Sequence, residues 1–358
     1  MDYSNILHFS DKQLERFAAT YEKYKTMRLK PADSMPMFVI NTPLETYRWE
    51  ERLADPKKMF EDELRTISAH VKVGDDRVPA ARVNFGTAQI AAAFGCEIYI
   101  PPNNLPCAST HVLHDIRDVD KLGRPGKFAG WYGRLHEFTQ FYRENLPEGV
   151  EIQLPDTQGP FNNAHLIRGN DIIFDFYDNP DELGYFLDFI TDYLIDLIKG
   201  LAPLTTNRDG WFFDWGSLWQ GAGRISNCTV HLISPVMYRE FILKRDIRFL
   251  ESIGGGRIHY CGTYPEVINS FINMPPVTGF DYDDSLHSLE SVCSLAPENV
   301  PVYCWTNSNS RTMMDLLDGK WPEKRNIIIG VDAPSVEEGS VLLEQLRASS
   351  ERHYERLY

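Results

Sequence analysis

The chain has 358 residues, 43% of them hydrophobic, which is enough to bury the core of one large domain or two small ones. A formal net charge of −15 argues against a nucleic-acid-binding face, because such faces concentrate lysine and arginine. Six scattered cysteines do not make a disulfide framework, the polar N-terminus lacks the apolar core of a signal peptide, and no apolar run approaches the ~20 residues that cross a bilayer. We therefore expect a cytoplasmic protein without nucleic-acid or membrane partners.

The first part of the chain is predicted to be a helical extension. Apolar residues recur at helical spacing over residues 11–27, and a second helix is expected over 56–70. Prolines at positions 31, 36 and 43 interrupt regular structure between them. We predict an N-terminal extension over residues 1–75.

From about Gly130 onward, strand and helix patterns alternate with short connections. Such alternation implies parallel strands joined by helical crossovers. The predicted strands are 150–154, 211–214, 229–233, 257–261, 277–280, 301–304 and 326–331, and the main predicted helices are 131–146, 180–201, 235–253, 265–272, 286–295, 310–317 and 334–352. A doubly wound sheet would place a glycine-rich phosphate turn after its first strand, whereas Gly254-Gly255-Gly256 precedes a strand. We predict a single (β/α)8 TIM barrel over residues 76–358.

The most informative short motif is His259-Tyr260-Cys261, followed by Gly262. In a strand, residues i and i+2 point to the same face, so an imidazole and a sulfur would lie side by side. That is half of a zinc site at the carboxyl end of a strand, where barrels carry their chemistry. The alternative is that both side chains are ordinary core residues.

A longer stretch surrounds this motif: Leu232-Ile233-Ser234-Pro235-Val236-Met237-Tyr238-Arg239-Glu240-Phe241-Ile242, then a helix, three glycines and His-x-Cys-Gly. In this order, the chain resembles the uroporphyrinogen decarboxylase superfamily, and within it the cobalamin-dependent methyltransferase branch. The resemblance is good from Glu151 to the end and looser before. It implies methyl transfer between a corrinoid, either methylcobalamin or a corrinoid on a separate small protein, and a small thiol or folate acceptor.

The resemblance also implies that zinc is bound by the His-x-Cys pair and a distant cysteine, and that it activates a thiol acceptor. In the methyltransferases, that cysteine ends the last strand, but here Gly330-Val331-Asp332-Ala333-Pro334 contains none. Two residues are candidates for the missing third ligand, Cys304 and Asp332, and loss of zinc is a third possibility. The predicted metal ligands are therefore His259 and Cys261, together with either Cys304 or Asp332.

Other polar and aromatic residues follow the predicted strands and would gather at one barrel mouth. The catalytic candidates are Asp156, Asp214, Asp281 and Asn307. The candidates for cofactor binding are Gln158, Trp215, His231 and Trp305. Each has a structural alternative: aspartates cap helices, and a strand histidine can belong to the core. The loop residues expected to meet substrate carboxylates are His165, Arg168 and Arg224.

The main alternative is a lyase that acts on a tetrapyrrole or another carboxylic acid without a cofactor. It would use Asp156 or Asp214 to bind pyrrole N–H groups. The Arg-Gln-Ala-Gly-Arg type of motif of the decarboxylase branch does not occur in the chain, which counts against this alternative. A non-catalytic corrinoid-binding barrel is a further possibility, and the oligomeric state is left open.

Overall fold

The computed structural model describes residues 3–42, 44, 46–126 and 128–355. The strands within these ranges are β1 (Met37–Asn41), β2 (Ala80–Ala81), β3 (Ile98–Tyr99), β4 (Cys107–Ala108), β5 (Glu151–Ile152), β6 (Trp211–Asp214), β7 (Ser217–Gln220), β8 (Gly223–Ser226), β9 (Gly256–Tyr260), β10 (Val277–Asp283), β11 (Val302–Thr306) and β12 (Ile327–Asp332).

The α-helices of the same ranges mostly follow the strands along the chain. They are α1 (Asp11–Leu29), α2 (Trp49–Ala54), α3 (Pro56–Val73), α4 (Gln89–Ala93), α5 (Val119–Leu122), α6 (Gly130–Asn145), α7 (Pro160–Arg168), α8 (Ile172–Asp178), α9 (Pro180–Leu201), α10 (Pro235–Met237), α11 (Leu243–Ile253), α12 (Pro265–Ile272), α13 (Leu289–Leu295), α14 (Arg311–Leu317) and α15 (Val336–Glu355). Short 3-10 helices cover Pro31–Asp33, Ile116–Asp118 and Cys228–Leu232, and a π-helical turn covers Tyr238–Ile242. No helix among the described residues combines the length and apolar character needed to cross a membrane.

The barrel wall consists of parallel strands. Six of those described form one sheet in the order β1-β12-β11-β10-β9-β8, and β2 pairs with β5 in parallel. Single backbone hydrogen bonds join the two groups: Gly159 N–H donates to Ser226 O over 3.0 Å, and Asp76 N–H donates to Phe38 O over 2.9 Å. The wall therefore follows the eight-strand order of a (β/α)8 barrel.

The strands at the centre of the sheet are buried on both faces, as parallel strands covered by helices must be. β12, for example, is buried from Ile327 to Val331 and becomes exposed only at Asp332. Around the wall, helices bury one apolar stripe each. The longest helix among the described residues is α9. It begins with Pro180 and has Asp181 and Glu182 in its first turn, where their negative charge suits the positive end of the helix dipole.

An antiparallel hairpin, β6–β7, fills the barrel from the amino ends of the strands. Its Trp219 is buried and stacks on Tyr303 with ring centroids 6.3 Å apart. Thr278 Oγ1 at the start of β10 donates to Gln220 O over 2.5 Å, and Arg28 Nε of α1 donates to Gln220 Oε1 over 2.9 Å. Helix α1 and the hairpin together close the floor of the barrel.

Two predictions about the organisation of the chain need correction. The predicted extension over residues 1–75 contains β1, which pairs with β12 and belongs to the wall. The strand predicted over 229–233 is wrong, because the chain forms the 3-10 helix Cys228–Leu232 there. The wall strand of this region is β8, which ends before Cys228.

The packing of Trp219 yields a stability prediction. A Cβ on Gly279 of β10 would lie 2.1 Å from Cζ3 of this ring, which is too close for any real contact. We expect Gly279→Ala to lower the free energy of unfolding by about 1–3 kcal/mol, the usual cost of overpacking a core. Urea denaturation measures this change. Gly126→Ala is the control, because a Cβ there meets no atom within 4 Å among the described residues, and an equal loss in both variants would contradict the packing argument.

Candidate metal centre and barrel mouth

Strands β8 and β9 lie so close together that only glycine fits at the start of β9. A Cβ on Gly256 would lie 1.9 Å from Gly223 O. From this point the strands run in parallel until Ser226 pairs with His259, and Asn227 N–H then donates to His259 O over 3.0 Å. Because Cys228 follows this paired segment immediately, the pairing places it beside His259.

Three side chains meet at the carboxyl ends of these strands: Cys228, His259 and Cys261. One ligand atom from each lies within 4.8 Å of the other two. Two sulfurs and an imidazole nitrogen form a donor set that zinc prefers, and three protein ligands are the number found in catalytic zinc sites, which keep one position open.

Asp281 at the same level of β10 orients the imidazole. Its Oδ2 lies 2.7 Å from His259 Nδ1 and accepts a hydrogen bond from Trp305 Nε1 over 3.3 Å. Because Nδ1 is occupied by the carboxylate, Nε2 is the ring nitrogen left for a ligand. This is the carboxylate–histidine arrangement that fixes the tautomer of metal-binding histidines.

The three clustered side chains perturb one another's acidity. The interaction with the Cys261 thiol, together with His259, lowers the pKa of Cys228 well below its ordinary value. The same sulfur–sulfur interaction raises the pKa of Cys261 far above its ordinary value, since one proton is shared between two thiols. Burial opposes the charged imidazolium, but Asp281 outweighs burial and raises the pKa of His259 to about 9. The cluster thus favours a thiolate at neutral pH.

A row of alternating charges leads from the interior to this cluster; we call it the charge chain. Its ion pairs are Arg82–Asp156 at 3.6 Å, Asp156–Arg224 at 3.2 Å, Arg224–Asp214 at 3.8 Å, Asp214–Arg257 at 2.7 Å, Arg257–Asp281 at 3.4 Å and Asp281–His259 at 2.7 Å.

The charge chain contains the three aspartates predicted as catalytic groups. Arg257 and His259 hold the pKa of the buried Asp281 carboxyl well below its usual range, despite desolvation. The pKa of Asp156 is also lowered, because Arg224 and Arg82 outweigh the effect of burial. The lowered pKa makes Asp156 and Asp281 poor general bases near neutral pH. The three aspartates instead fix the positions of the arginines at the mouth through their ion pairs.

Trp215 forms one wall of the mouth, and its backbone conformation is strained. Its φ of +49° lies in the left-handed region, which is uncommon for a bulky residue. The guanidinium of Arg82 lies 4.3 Å from the centroid of its ring, and that of Arg224 lies 5.6 Å from it. Trp305 meets it edge-to-face at 5.6 Å. Trp215 remains 36% exposed, so part of its apolar surface is available to a ligand.

Beside the cluster is a cleft of about 410 Å³. Gln158 lines this cleft, with Nε2 donating to Asp156 Oδ1 over 2.7 Å and Oε1 accepting from Asn162 Nδ2 over 2.8 Å. The cleft combines a few fixed polar groups with an apolar wall, as small-ligand sites do. The lining residues are Thr87, Asp156, Gln158, Asn162, Leu166, Trp215, Arg224, Ser226, Cys228, Thr229 and His259.

Neither residue predicted as the third metal ligand joins the cluster. Tyr303 and Trp305 of β11 face the interior, so the intervening Cys304 faces the helix layer. It is fully buried there, and desolvation raises the pKa of its thiol. Asp332 is exposed at the end of β12, where its Oδ1 accepts from Asn41 Nδ2 over 3.0 Å.

Other residues predicted for the site also lie away from it. His231 is exposed, and its Nδ1 contacts Cys228 O within the 3-10 helix. Asn307 is exposed in a turn, where its Oδ1 accepts from Asn309 N–H over 3.0 Å. His165 and Arg168 lie in α7 rather than in a loop, and Arg168 Nε donates to the buried Asp175 over 2.9 Å. Arg168 is therefore a structural residue.

Sequence reasoning missed Cys228. The run Thr229-Val230-His231-Leu232-Ile233 has β-branched and alternating residues typical of a strand, and this pattern displaced the predicted strand by several residues. The true strand, Gly223-Arg224-Ile225-Ser226, has weak intrinsic preference and forms because β9 is beside it. The position of Cys228, two residues after the end of β8, becomes informative only once β8 has been located by its pairing with β9.

The Asp281–His259 pair yields a pH prediction. Because the folded-state pKa of His259 is about 9, above its ordinary 6.5, the pair stabilises the fold fully below about pH 6.5 and loses this contribution as the pH rises through 9. We expect Asp281→Asn to lower the pKa of His259 by about 1–3 units, as removal of a neighbouring opposite charge does. NMR titration of the imidazole protons in metal-free protein measures the pKa. Asp332→Asn should leave it unchanged, and an unchanged pKa in Asp281→Asn would contradict the assignment.

Comparison with solved structures shows what this architecture is similar to. A methyltransferase from Methanosarcina mazei superposes with a TM-score of 0.68 at 16% sequence identity, covering 94% of this chain and 99% of that chain. This likeness is one of fold. A putative vitamin-B12-independent methionine synthase from Listeria monocytogenes (TM-score 0.44, 8% identity, 95% and 94% covered) and a metallated homocysteine methyltransferase from Escherichia coli (TM-score 0.36, 13% identity, 90% and 99% covered) are too distant to support an argument.

No curated protein matches the sequence. The family model described as uroporphyrinogen decarboxylase (URO-D) matches residues 34–300, which is well over half of the chain. The match and the fold agree with the resemblance seen in the sequence and confirm the (β/α)8 barrel. The chain belongs to the uroporphyrinogen decarboxylase family.

Proposed function

We propose that this protein is a methyltransferase that moves a methyl group between a corrinoid and a small acceptor at the barrel mouth. The observation that carries the proposal is the meeting of Cys228, His259 and Cys261 at the ends of two adjacent strands. A cofactor-free lyase has no use for two clustered cysteines. A thiol acceptor does, because it must be held as a thiolate to react at neutral pH.

The residues present fit zinc. Cys228 and Cys261 offer soft sulfur donors, His259 offers Nε2, and Asp281 holds the other ring nitrogen at 2.7 Å. Zinc bound there would supply Lewis acidity, keeping an acceptor thiol deprotonated. The ligand that the resemblance placed at the end of the last strand is replaced by Cys228, which reaches the same mouth from β8.

The cleft supports a small acceptor. Its volume of about 410 Å³ is near the lower end for small-molecule sites. Trp215 offers an apolar face to the acceptor, and His259 lies in the cleft wall. Gln158 and Asn162 hold each other and the loop around them, so the wall is fixed before a ligand arrives. These residues would orient the acceptor and exclude water from its reacting atom.

The size of the cleft also indicates where a corrinoid would bind. A macrocycle is far larger than the space beside the cluster, so a corrinoid would lie over the mouth rather than within it. The exposed part of Trp215 is at this opening and offers a flat apolar surface. A corrinoid over the mouth would have its other face open, and we propose that a partner protein holds it there.

The lyase alternative is less well supported. It assigned Asp156 or Asp214 to pyrrole N–H groups, but Asp156 is paired with Arg224 at 3.2 Å and Asp214 with Arg257 at 2.7 Å. Binding a tetrapyrrole there would break buried ion pairs, which is costly. The charges that a lyase would use are already neutralised.

Zinc content tests the ligand set. We expect protein purified without chelator to contain zinc, and Cys228→Ser to lower its affinity by more than about 100-fold, since loss of an outer-shell partner alone costs about 10–100-fold. Competition with a chromophoric chelator measures the affinity. Cys304→Ser is the matched control and should bind zinc as the unaltered protein does.

Activity tests the reaction. Methylcobalamin and 2-mercaptoethanol serve as probes, and anaerobic loss of methylcobalamin absorbance reports methyl transfer. We expect transfer by the unaltered protein and by Cys304→Ser, and none by Cys228→Ser. Zinc loss in Cys304→Ser but not in Cys228→Ser would overturn the ligand set. Zinc binding without methyl transfer to the thiol would reject the thiol as acceptor.

A further inference from the structure

Behind the metal centre lies a second buried polar group, formed by Asn227, Tyr238 and Asp246. Asp246 of α11 has no exposed surface. Its Oδ2 accepts hydrogen bonds from Asn227 Nδ2 over 2.6 Å and from Tyr238 Oη over 3.0 Å. Burying a carboxyl group in an apolar layer costs free energy unless it is well bonded, so its presence there calls for a role.

The helix that carries two of these residues is built to bring them together. Residues eight apart on an α-helix differ by about 80° around the axis, so Tyr238 and Asp246 would face different directions. The π-helical turn Tyr238–Ile242 between them takes up one extra residue. The offset then corresponds to seven α-helical positions, or about 20°. π-Helical turns are energetically unfavourable and are frequent at functional sites.

The third member, Asn227, immediately precedes Cys228. Its backbone N–H donates to His259 O over 3.0 Å, while its side chain donates to Asp246. On the other side of the cysteine, Thr229 N–H donates to Asn162 Oδ1 over 3.0 Å. The short segment around Cys228 is therefore held at both ends.

We propose that Asp246 and Tyr238 are positioning residues for the metal centre: through Asn227, they hold Cys228 against His259 and Cys261. The inference rests on the proposed zinc site for its functional meaning. Among the described residues, no hydrogen bond or ion pair joins either side chain to the cluster, and the hydrogen bond between Asp246 and Asn227 provides the connection. This positioning role also explains part of the Leu232–Ile242 stretch, which contains Tyr238 and the π-helical turn.

Two measurements test this role on the full chain. The first is amide hydrogen exchange of residues 226–230 in metal-free protein, and the second is zinc affinity. We expect Tyr238→Phe to speed exchange of this segment by about tenfold, as loss of one buried hydrogen bond to a carboxylate would. It should weaken zinc binding by about tenfold, as loss of an outer-shell partner does.

The chain offers a matched control. Tyr142 is also fully buried, but its hydroxyl makes no hydrogen bond among the described residues, so Tyr142→Phe removes the same atom without breaking a bond. It should change neither measurement. Asp246→Ala should act at least as strongly as Tyr238→Phe, and Asp246→Asn, which keeps an acceptor oxygen, should restore much of the protection.

The outcomes separate this inference from the proposed function. Unchanged exchange of residues 226–230 in Tyr238→Phe and Asp246→Ala would overturn the positioning role, whatever the zinc content. Faster exchange in Tyr142→Phe as well would reduce the effect to general loosening and overturn it too. Faster exchange in Tyr238→Phe alone, in a protein that binds no zinc, would uphold the positioning of Cys228 and reject the zinc site.

Discussion

The burial of Arg257 is the constraint on which the mouth of this barrel depends. Its side chain has no exposed surface, lies 4.8 Å from the centroid of the Trp219 ring, and pairs with Asp214 and Asp281. A charge in this position must keep its partners, because breaking a buried pair costs about 3–5 kcal/mol. The guanidinium therefore fixes two carboxylates from different strands, and one of them, Asp281, fixes His259.

The neutrality of the charge chain follows from the same requirement. Three arginines alternate with three aspartates across the interior, so each carboxylate is neutralised before a ligand arrives. The proton-accepting and metal-binding capacity of the mouth is left to the Cys228–His259–Cys261 cluster, which joins the charge chain only through His259 Nδ1. Reactive sulfur is placed where β8 and β9 end, and the close approach of Gly223 and Gly256 sets where those strands meet.

Sequence patterns predicted much of the fold because amphipathic helices have strong signals. The bounds of α9 and α12 were predicted to the residue, since each helix begins at a proline and carries a continuous apolar stripe. β8 escaped prediction because glycine, arginine and serine have little strand preference, and only pairing with β9 makes the strand. Cys304 was misplaced for a different reason. The sequence shows that successive side chains of a strand alternate between its two faces, but only packing decides that Tyr303, and not Cys304, faces the barrel interior. The meeting of Cys228 with His259 has no local pattern either, because it is set by the β8–β9 register.

We propose that two sulfurs and one imidazole form the metal centre, with Cys228 as one of the sulfurs. X-ray absorption at the zinc edge, on protein loaded with one equivalent of zinc, counts these ligands. We expect two zinc–sulfur bonds of about 2.3 Å and a zinc–nitrogen bond of about 2.0–2.1 Å in the unaltered protein, and a single zinc–sulfur bond in Cys228→Ser. A zinc shell with one sulfur in the unaltered protein, or a sulfur shell unchanged by Cys228→Ser, would contradict it.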